Sequence, residues 1–175
     1  MFVKRVVVGV SGSPGSVLAL RHAAEMARNH QAELVPVLAW TPPGGEMADL
    51  RYPSPQLRAF WKQAAKDRLS KAIRLAFGGQ PDGMEFSPEI VKCEAGYALT
   101  KIAREPGDVL VIGAGRQGAL RRLTGGHVAR YCLAHAVCPV FAVPPAEVAA
   151  SAHGVRGWMD RRRMQTEDAE LRTAA

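Results

Sequence analysis

The chain reads as an α/β protein: a five-stranded parallel sheet, doubly wound, with strand order 3-2-1-4-5. Three observations predict it. Short β-branched or apolar runs alternate with longer stretches of helical periodicity along most of the 175 residues. Glycine, proline and serine cluster at the junctions, where strands exit and helices begin. One segment, Asp108 to Val143, carries a strand, a glycine-rich loop, a helix and a second strand, which is the crossover unit of a parallel sheet.

Lys4 to Val10 (KRVVVGV) is the first strand. In the turn Ser11-Gly12-Ser13-Pro14-Gly15-Ser16, Ser13 is placed to cap a helix whose first position is Pro14. That helix runs to about His30 and puts Val17, Leu20, Ala23, Ala24 and Ala27 on one face; His22 and His30 fall on its surface. Glu33 to Trp40 (ELVPVLAW) is the second strand, with Pro36 predicting a locally irregular or edge-facing backbone. Thr41 to Pro55, rich in proline, reads as a long loop and a mobile lid.

A second helix spans about Pro55 to Phe77, with Leu57, Phe60/Trp61, Ala64, Leu69, Ala72/Ile73 and Ala76 at helical spacing. Lys62, Lys66, Arg68, Lys71 and Arg74 form its solvated side, and Gly78-Gly79 ends it. Glu85 to Lys92 is a weaker strand whose Pro88 suggests an edge position, and Tyr97 to Ala103 a short helix. Val109 to Ile112 is the fourth strand, Gly113 to Gly126 the glycine loop, His127 to His135 a helix, and Pro139 to Val143 the last strand. Right-handed crossovers make the first and fourth strands neighbours where the winding reverses, so the Ser11 turn and the Gly113 loop face each other across one crevice.

Residues 1–145 are therefore read as one α/β domain, and residues 146–175 as a charged tail, disordered or transiently helical. No apolar run approaches the roughly 20 residues that span a bilayer. The N-terminus passes directly into a strand without a secretory pattern, so a cytoplasmic protein without a membrane partner is expected. Cys93, Cys132 and Cys138 form no ligand cluster; they read as free thiols, the latter two filling apolar positions, and no metal site is expected. The net charge of +7 is spread over several elements without a nucleic-acid-binding motif, so no specific nucleic-acid partner is expected. Basic residues do crowd one loop: Arg116, Arg121, Arg122 and His127.

Glycines let backbone approach a ligand, and N–H groups leading into a helix N-terminus favour phosphate. Gly125-Gly126-His127 sits at such a point. On spacing alone, Gly113, Gly115, Gly125 and Gly126 equally suit tight exits and entries of the chain with no ligand.

The stretch VLVIGAGRQGALRRLTGGHVARYCLAHAVCPVFAV resembles the C-terminal signature of the universal stress protein family. VVVGVSGSPGSVLALRHAAEMA, AELVPVLAW and EIVKCEAGYAL resemble its earlier segments, so the resemblance covers about residues 3–144. It implies a Rossmann-like, nucleotide-binding α/β fold and a homodimer formed through the last strand, Pro139 to Val143. Some members bind ATP with a loop of the pattern Gly-x2-Gly-x9-Gly-Ser/Thr; here it reads Gly113-x2-Arg116-x9-Gly126-His127. Arg116 replaces the middle glycine, His127 the Ser/Thr, and Ser11 the family's usual Asp. Arg116 either fills the phosphate position or supplies a charged fork to it.

Carried over by position, Val10, Ser11 and Ala39 fall at the adenine, and Ile112 and Gly113 near the ribose. Arg116, Gly126, His127 and Val128 fall at the phosphates. The resemblance implies a non-catalytic stress protein with ATP as its candidate ligand. Two other readings stand beside it: a nucleotide-independent scaffold acting through dimer surface and tail, and an enzyme of the ATP-pyrophosphatase type, echoed faintly in Ser11 to Ser16. The crevice residues include no paired carboxylates or metal-ligand spacing, which suits holding an anion better than hydrolysing one.

Overall fold

A computed structural model describes residues 2–114 and 127–144. Its core is a β-branched run, Val6-Val7-Val8, in strand β1 (Arg5–Gly9), fully buried because both faces of the strand are covered. All pairings are parallel. β1 pairs with β2 (Glu33–Trp40) on one side and β4 (Asp108–Gly113) on the other, while β3 (Glu89–Lys92) and β5 (Val140–Val143) close the edges. The order β3-β2-β1-β4-β5 is the one predicted.

Helix α1 (Pro14–His30) starts where its sequence dictates. Ser13 is the N-cap, its hydroxyl accepting from the Ser16 N–H at 3.3 Å, and Pro14 occupies the first turn. Ala19, Ala23, Ala24 and Ala27 are wholly buried, and these small side chains let the helix axis approach the sheet. Helix α1 and a long helix over Pro55–Phe77 cover one face of the sheet; helices over Ala95–Ile102 and His127–His135 cover the other.

Two expectations need correction. Thr41 to Pro55 is not a long loop: it contains helix α2 (Gly45–Arg51), preceding α3 (Pro55–Phe77). Nor is it free in the manner of a lid. Asp49, its side chain 3% exposed, accepts from Arg58 Nε at 2.7 and 2.9 Å and from Lys92 Nζ at 2.8 Å, tying α2 to α3 and to the end of β3. Prolines and glycines obscured the helix because they flank it: Pro42 and Pro43 lead to Gly44-Gly45, which take positive φ and start it, and Pro53 follows its end.

The second correction concerns Pro36. β2 is an interior strand and Pro36 is fully buried; the irregularity lies in its ladder to β3. Leu34 donates to Glu85 and accepts from Ser87, then the ladder breaks until Val37 pairs with Glu89. Leu34 and Trp40 bond to β3 while Glu85, Ser87 and Cys93 bond back to β2, so by alternation the donor missing from Pro36 falls in that gap and the one missing from Pro88 falls on the outer edge of the sheet. β3 itself is an edge strand, as Pro88 suggested, but it is shorter than Glu85 to Lys92, with Phe86 forming only an isolated bridge to Leu34.

Helix α3 also departs from its pattern. Ala65, Leu69 and Ala72 are buried, but Leu57 and Phe60 at its start are 50% and 67% exposed. Twenty-three residues at about 1.5 Å each exceed the length of a short strand, so the first turns overhang the sheet edge.

The Asp49 carboxyl is held below the ordinary carboxylate range, first by its hydrogen bond from Arg58 and then by that from Lys92. A depressed folded-state value means the contribution is complete above about pH 4 and is lost as pH falls through the folded value. Amide protection in residues 45–51, relative to the intrinsic exchange rate at each pH, should therefore fall below about pH 4, and Asp49→Asn should produce the same loss of protection at neutral pH. Unchanged exchange in Asp49→Asn would show that the ion pairs do not hold α2.

Candidate functional site

Strand order reverses between β1 and β4: from β1 the chain winds outward to β2 and β3, then returns to build β4 and β5 on the other side. Helices on opposite faces therefore diverge at this point and leave a crevice at the carboxyl ends of the two strands. The sequence-predicted residues that are described fall around it. Val10 is buried and extends the β1 ladder by donating to Val37 O at 2.8 Å. Ser11 follows it, exposed. Ala39 lies half-buried near the end of β2, Ile112 is buried in β4, and Gly113 ends that strand.

The two loops meet closely. A Cβ at Gly113 would stand 3.0 Å from Gly15 O and 3.5 Å from Ser16 N, so the end of β4 lies against the first turn of α1. This approach gives Gly113 a packing reason to be glycine, whether or not a ligand is bound. Gly12 takes φ +83°, which turns the chain from Ser11 into the cap. Ser11 Oγ donates to Ser13 Oγ at 3.0 Å and accepts weakly from Ser13 N at 3.4 Å, so it serves the turn ahead of α1. The family's carboxylate position thus carries a neutral group.

On the far side of the crevice, helix α5 (His127–His135) begins with His127 and Val128, both exposed. Its position is set by helix α4 (Ala95–Ile102). Gly96 of α4 faces the Tyr131 ring so closely that a Cβ there would lie 2.8 Å from Tyr131 Cδ1. Tyr131 also stacks on His135 with ring centroids 4.2 Å apart. Beneath them Cys132 is fully buried, and burial chiefly, with the Cys138 charge, pushes its thiol up to about 11. Burial raises the Cys138 thiol too. Both cysteines stay protonated at neutral pH and act as apolar filling.

Arg116 and Gly126, with Gly115, Arg121, Arg122 and Gly125, lie outside the described residues, as does the tail 146–175. The described crevice residues offer backbone N–H groups, a hydroxyl and an imidazole, but no carboxylate. Among the described residues there is no cluster of His, Cys, Asp or Glu that could hold a metal, and no helix is long and apolar enough to cross a membrane. Sequence reasoning missed two ion-pair groups: Arg5 with Asp108, and Asp49 with Arg58 and Lys92. The first was readable, since Arg5 lies at the start of the first predicted strand and Asp108 just before the fourth, its predicted neighbour. The second joins residues 43 positions apart across a helix that had been read as loop.

Comparison with known proteins gives three results. The family model described as "Universal stress protein family" matches residues 3–144. Among solved structures, a universal stress protein in complex with cAMP is 24% identical, with TM-score 0.54, covering 83% of this chain and 100% of that one. UspA from Lactobacillus plantarum is 22% identical, TM-score 0.61, covering 82% and 99%. A universal stress protein from Archaeoglobus fulgidus is 24% identical, TM-score 0.55, covering 82% and 95%. No curated protein matches at the same stringency.

The contact between α4 and α5 yields a prediction. Gly96→Ala should push Tyr131 and with it the start of α5, costing about 1–3 kcal/mol in urea unfolding, the usual range for overpacking. A loss below about 0.3 kcal/mol would mean that Tyr131 yields freely and that Gly96 does not set the helix position.

Proposed function

Because the chain belongs to the universal stress protein family, we propose that it is a non-catalytic, homodimeric stress protein that holds an adenine nucleotide, ATP, between the ends of β1 and β4. The observation that carries this reading is the switch point itself. It gathers Val10, Ser11, Ala39, Ile112 and Gly113 at one edge of the sheet, with the start of α5 in the same chain segment as the glycine loop. A solved protein of the same fold is in complex with cAMP, which supports an adenine nucleotide as the ligand class.

In this reading Val10 and Ala39 give an apolar wall for the adenine and Ser11 a neutral hydrogen-bonding group. Ile112 and Gly113 lie near the ribose. His127, Val128, Arg116 and Gly126 take the phosphates, the last two by the family's loop pattern alone. A site with cations and backbone N–H groups but no carboxylate suits holding a polyanion better than hydrolysing it, which supports binding without turnover.

The dimer reading is supported by the outer edge of the sheet. Among the described residues β5 pairs only with β4, and its sequence, Val-Phe-Ala-Val, has no charge or proline along it. Phe141 is 46% exposed. An apolar edge of this kind is normally covered, and a second copy pairing along β5 covers it.

Calorimetry of the full-length protein with ATP, ADP and AMP tests the proposal, with light scattering on the same samples. Saturable ATP binding weakened about tenfold in His127→Ala and in Arg116→Ala, at twice the chain mass, is the expected result. No heat at millimolar ATP would leave the scaffold reading, and stoichiometric release of AMP and pyrophosphate would make the protein an enzyme. A wild-type monomer would remove the β5 interface.

A further inference from the structure

The overhang of α3 opens a second cleft, on the other face of β2 from Ala39. Successive residues of a strand point to opposite faces, so Ala39 and Trp40 cannot serve the same site. Trp40 lies on the α1/α3 side, packed into that half of the core and 8% exposed. With Ile90 of β3 and Ala59 of α3 it lines a cleft of about 300 Å³ whose remaining lining is Arg58, Lys62 and Lys92. That volume is at the small end of ligand sites.

The charge of this cleft is not balanced. Arg58 and Lys92 share Asp49, and Lys92 also reaches Glu46 at 3.4 Å. Three cations thus meet two carboxylates, one of which, Glu46, is 61% exposed. Arg58 spends its Nε and Nη2 on Asp49, leaving Nη1 without a hydrogen-bonding partner, and Lys62 has no acidic partner among the described residues. Asp49 therefore acts as an internal counter-ion. It fixes the fork of Arg58 and the ammonium of Lys92 in place and leaves donors pointing to whatever occupies the cleft.

From an indole and an isoleucine beside these surplus cations, we propose that the Trp40–Lys92 cleft binds a small flat aromatic molecule carrying one anionic group, an aryl phosphate or aryl carboxylate. The ring packs against Trp40 and Ile90. The anionic group lies at Lys62 and the free Nη1 of Arg58, where charge-assisted hydrogen bonds are strongest. The site is independent of the nucleotide reading, because the two lie on opposite faces of β2.

The test uses full-length protein titrated with 1-naphthyl phosphate and with 2-naphthoate by calorimetry. The Trp40 indole N–H signal is followed by NMR and assigned through Trp40→Phe. Saturable binding that moves the Trp40 signal, falls about tenfold in Lys62→Glu and is abolished when Ala59→Trp fills the cleft supports the site. Lys62 and Ala59 are exposed helix positions, so both variants should fold, and an unchanged wild-type pattern for the other amides checks this. Equal affinity for neutral 2-naphthalenemethanol would remove the role of the cations. Binding displaced by excess ATP, binding insensitive to both variants, or no saturable binding at millimolar probe would each overturn the proposal. The relative strength of the two anions tells phosphate from carboxylate.

Discussion

Everything at the carboxyl edge of this sheet depends on a register fixed at the amino edge. Arg5 and Asp108 are paired positions of β1 and β4, and their side chains close a two-pronged ion pair, Nε to Oδ1 at 2.9 Å and Nη2 to Oδ2 at 2.7 Å. The Asp108 side chain is fully buried. It is tolerated because the Glu105 N–H also donates to it at 2.9 Å, while Arg5 gives a further bond to Ile102 O. The hydrogen bond that Arg5 donates to Asp108 raises the Arg5 pKa further, so the pair stays charged wherever the carboxylate is ionised. A slip of one residue would orphan the carboxylate and turn every β1 side chain to the wrong face. With the pair in place, the strands run in register and deliver Val10-Ser11 and Ile112-Gly113 to the same level of the crevice.

The two edges of the sheet are treated differently by the sequence. At β3, Pro88 removes a donor, charged residues end the strand, and the α2–α3 pair with its Asp49 ion cluster closes over the corner. At β5 nothing charged or cyclic interrupts the exposed backbone. The protected edge carries the cleft beside Trp40, and the open edge suits self-association. In between, the winding reversal makes the crevice. One sheet thus supplies three chemically distinct surfaces, and only the central one follows from the strand order itself.

Much of this was legible in the sequence because it was written in local patterns. The β-branched Val6 to Val8, the Ser13-Pro14 helix start, the second start at Pro55 and the glycine stop at Gly78 act over a few residues, and all occur where the chain predicts them. The partnership of β1 with β4 followed from the handedness of crossovers. Long-range and masking effects were not legible. Helix α2 is a single short stretch inside a proline-rich segment whose buried residue is Asp49, and its anchor Lys92 comes 43 residues after it. The exposure of Leu57 and Phe60 depends on how far α3 outruns the sheet, which periodicity does not encode. The buried Pro36 is explained only by the break in the ladder to β3 opposite it. For the crevice, Val10, Ser11, Ala39, Ile112 and Gly113 were placed by position in the family pattern, and the close approach of Gly113 to Gly15 appears only in three dimensions.

The most direct measurement is backbone amide NMR of the labelled protein with and without ATP. Shifts are expected at Val10 and Ser11, Ala39, Ile112 to Ala114, Arg116, and Gly126 to Val128. The amides of residues 57–62 and 89–92, around the Trp40 cleft, should stay in place. Shifts centred on that second group with none at Ser11 or Gly113 would contradict a nucleotide site at the switch point.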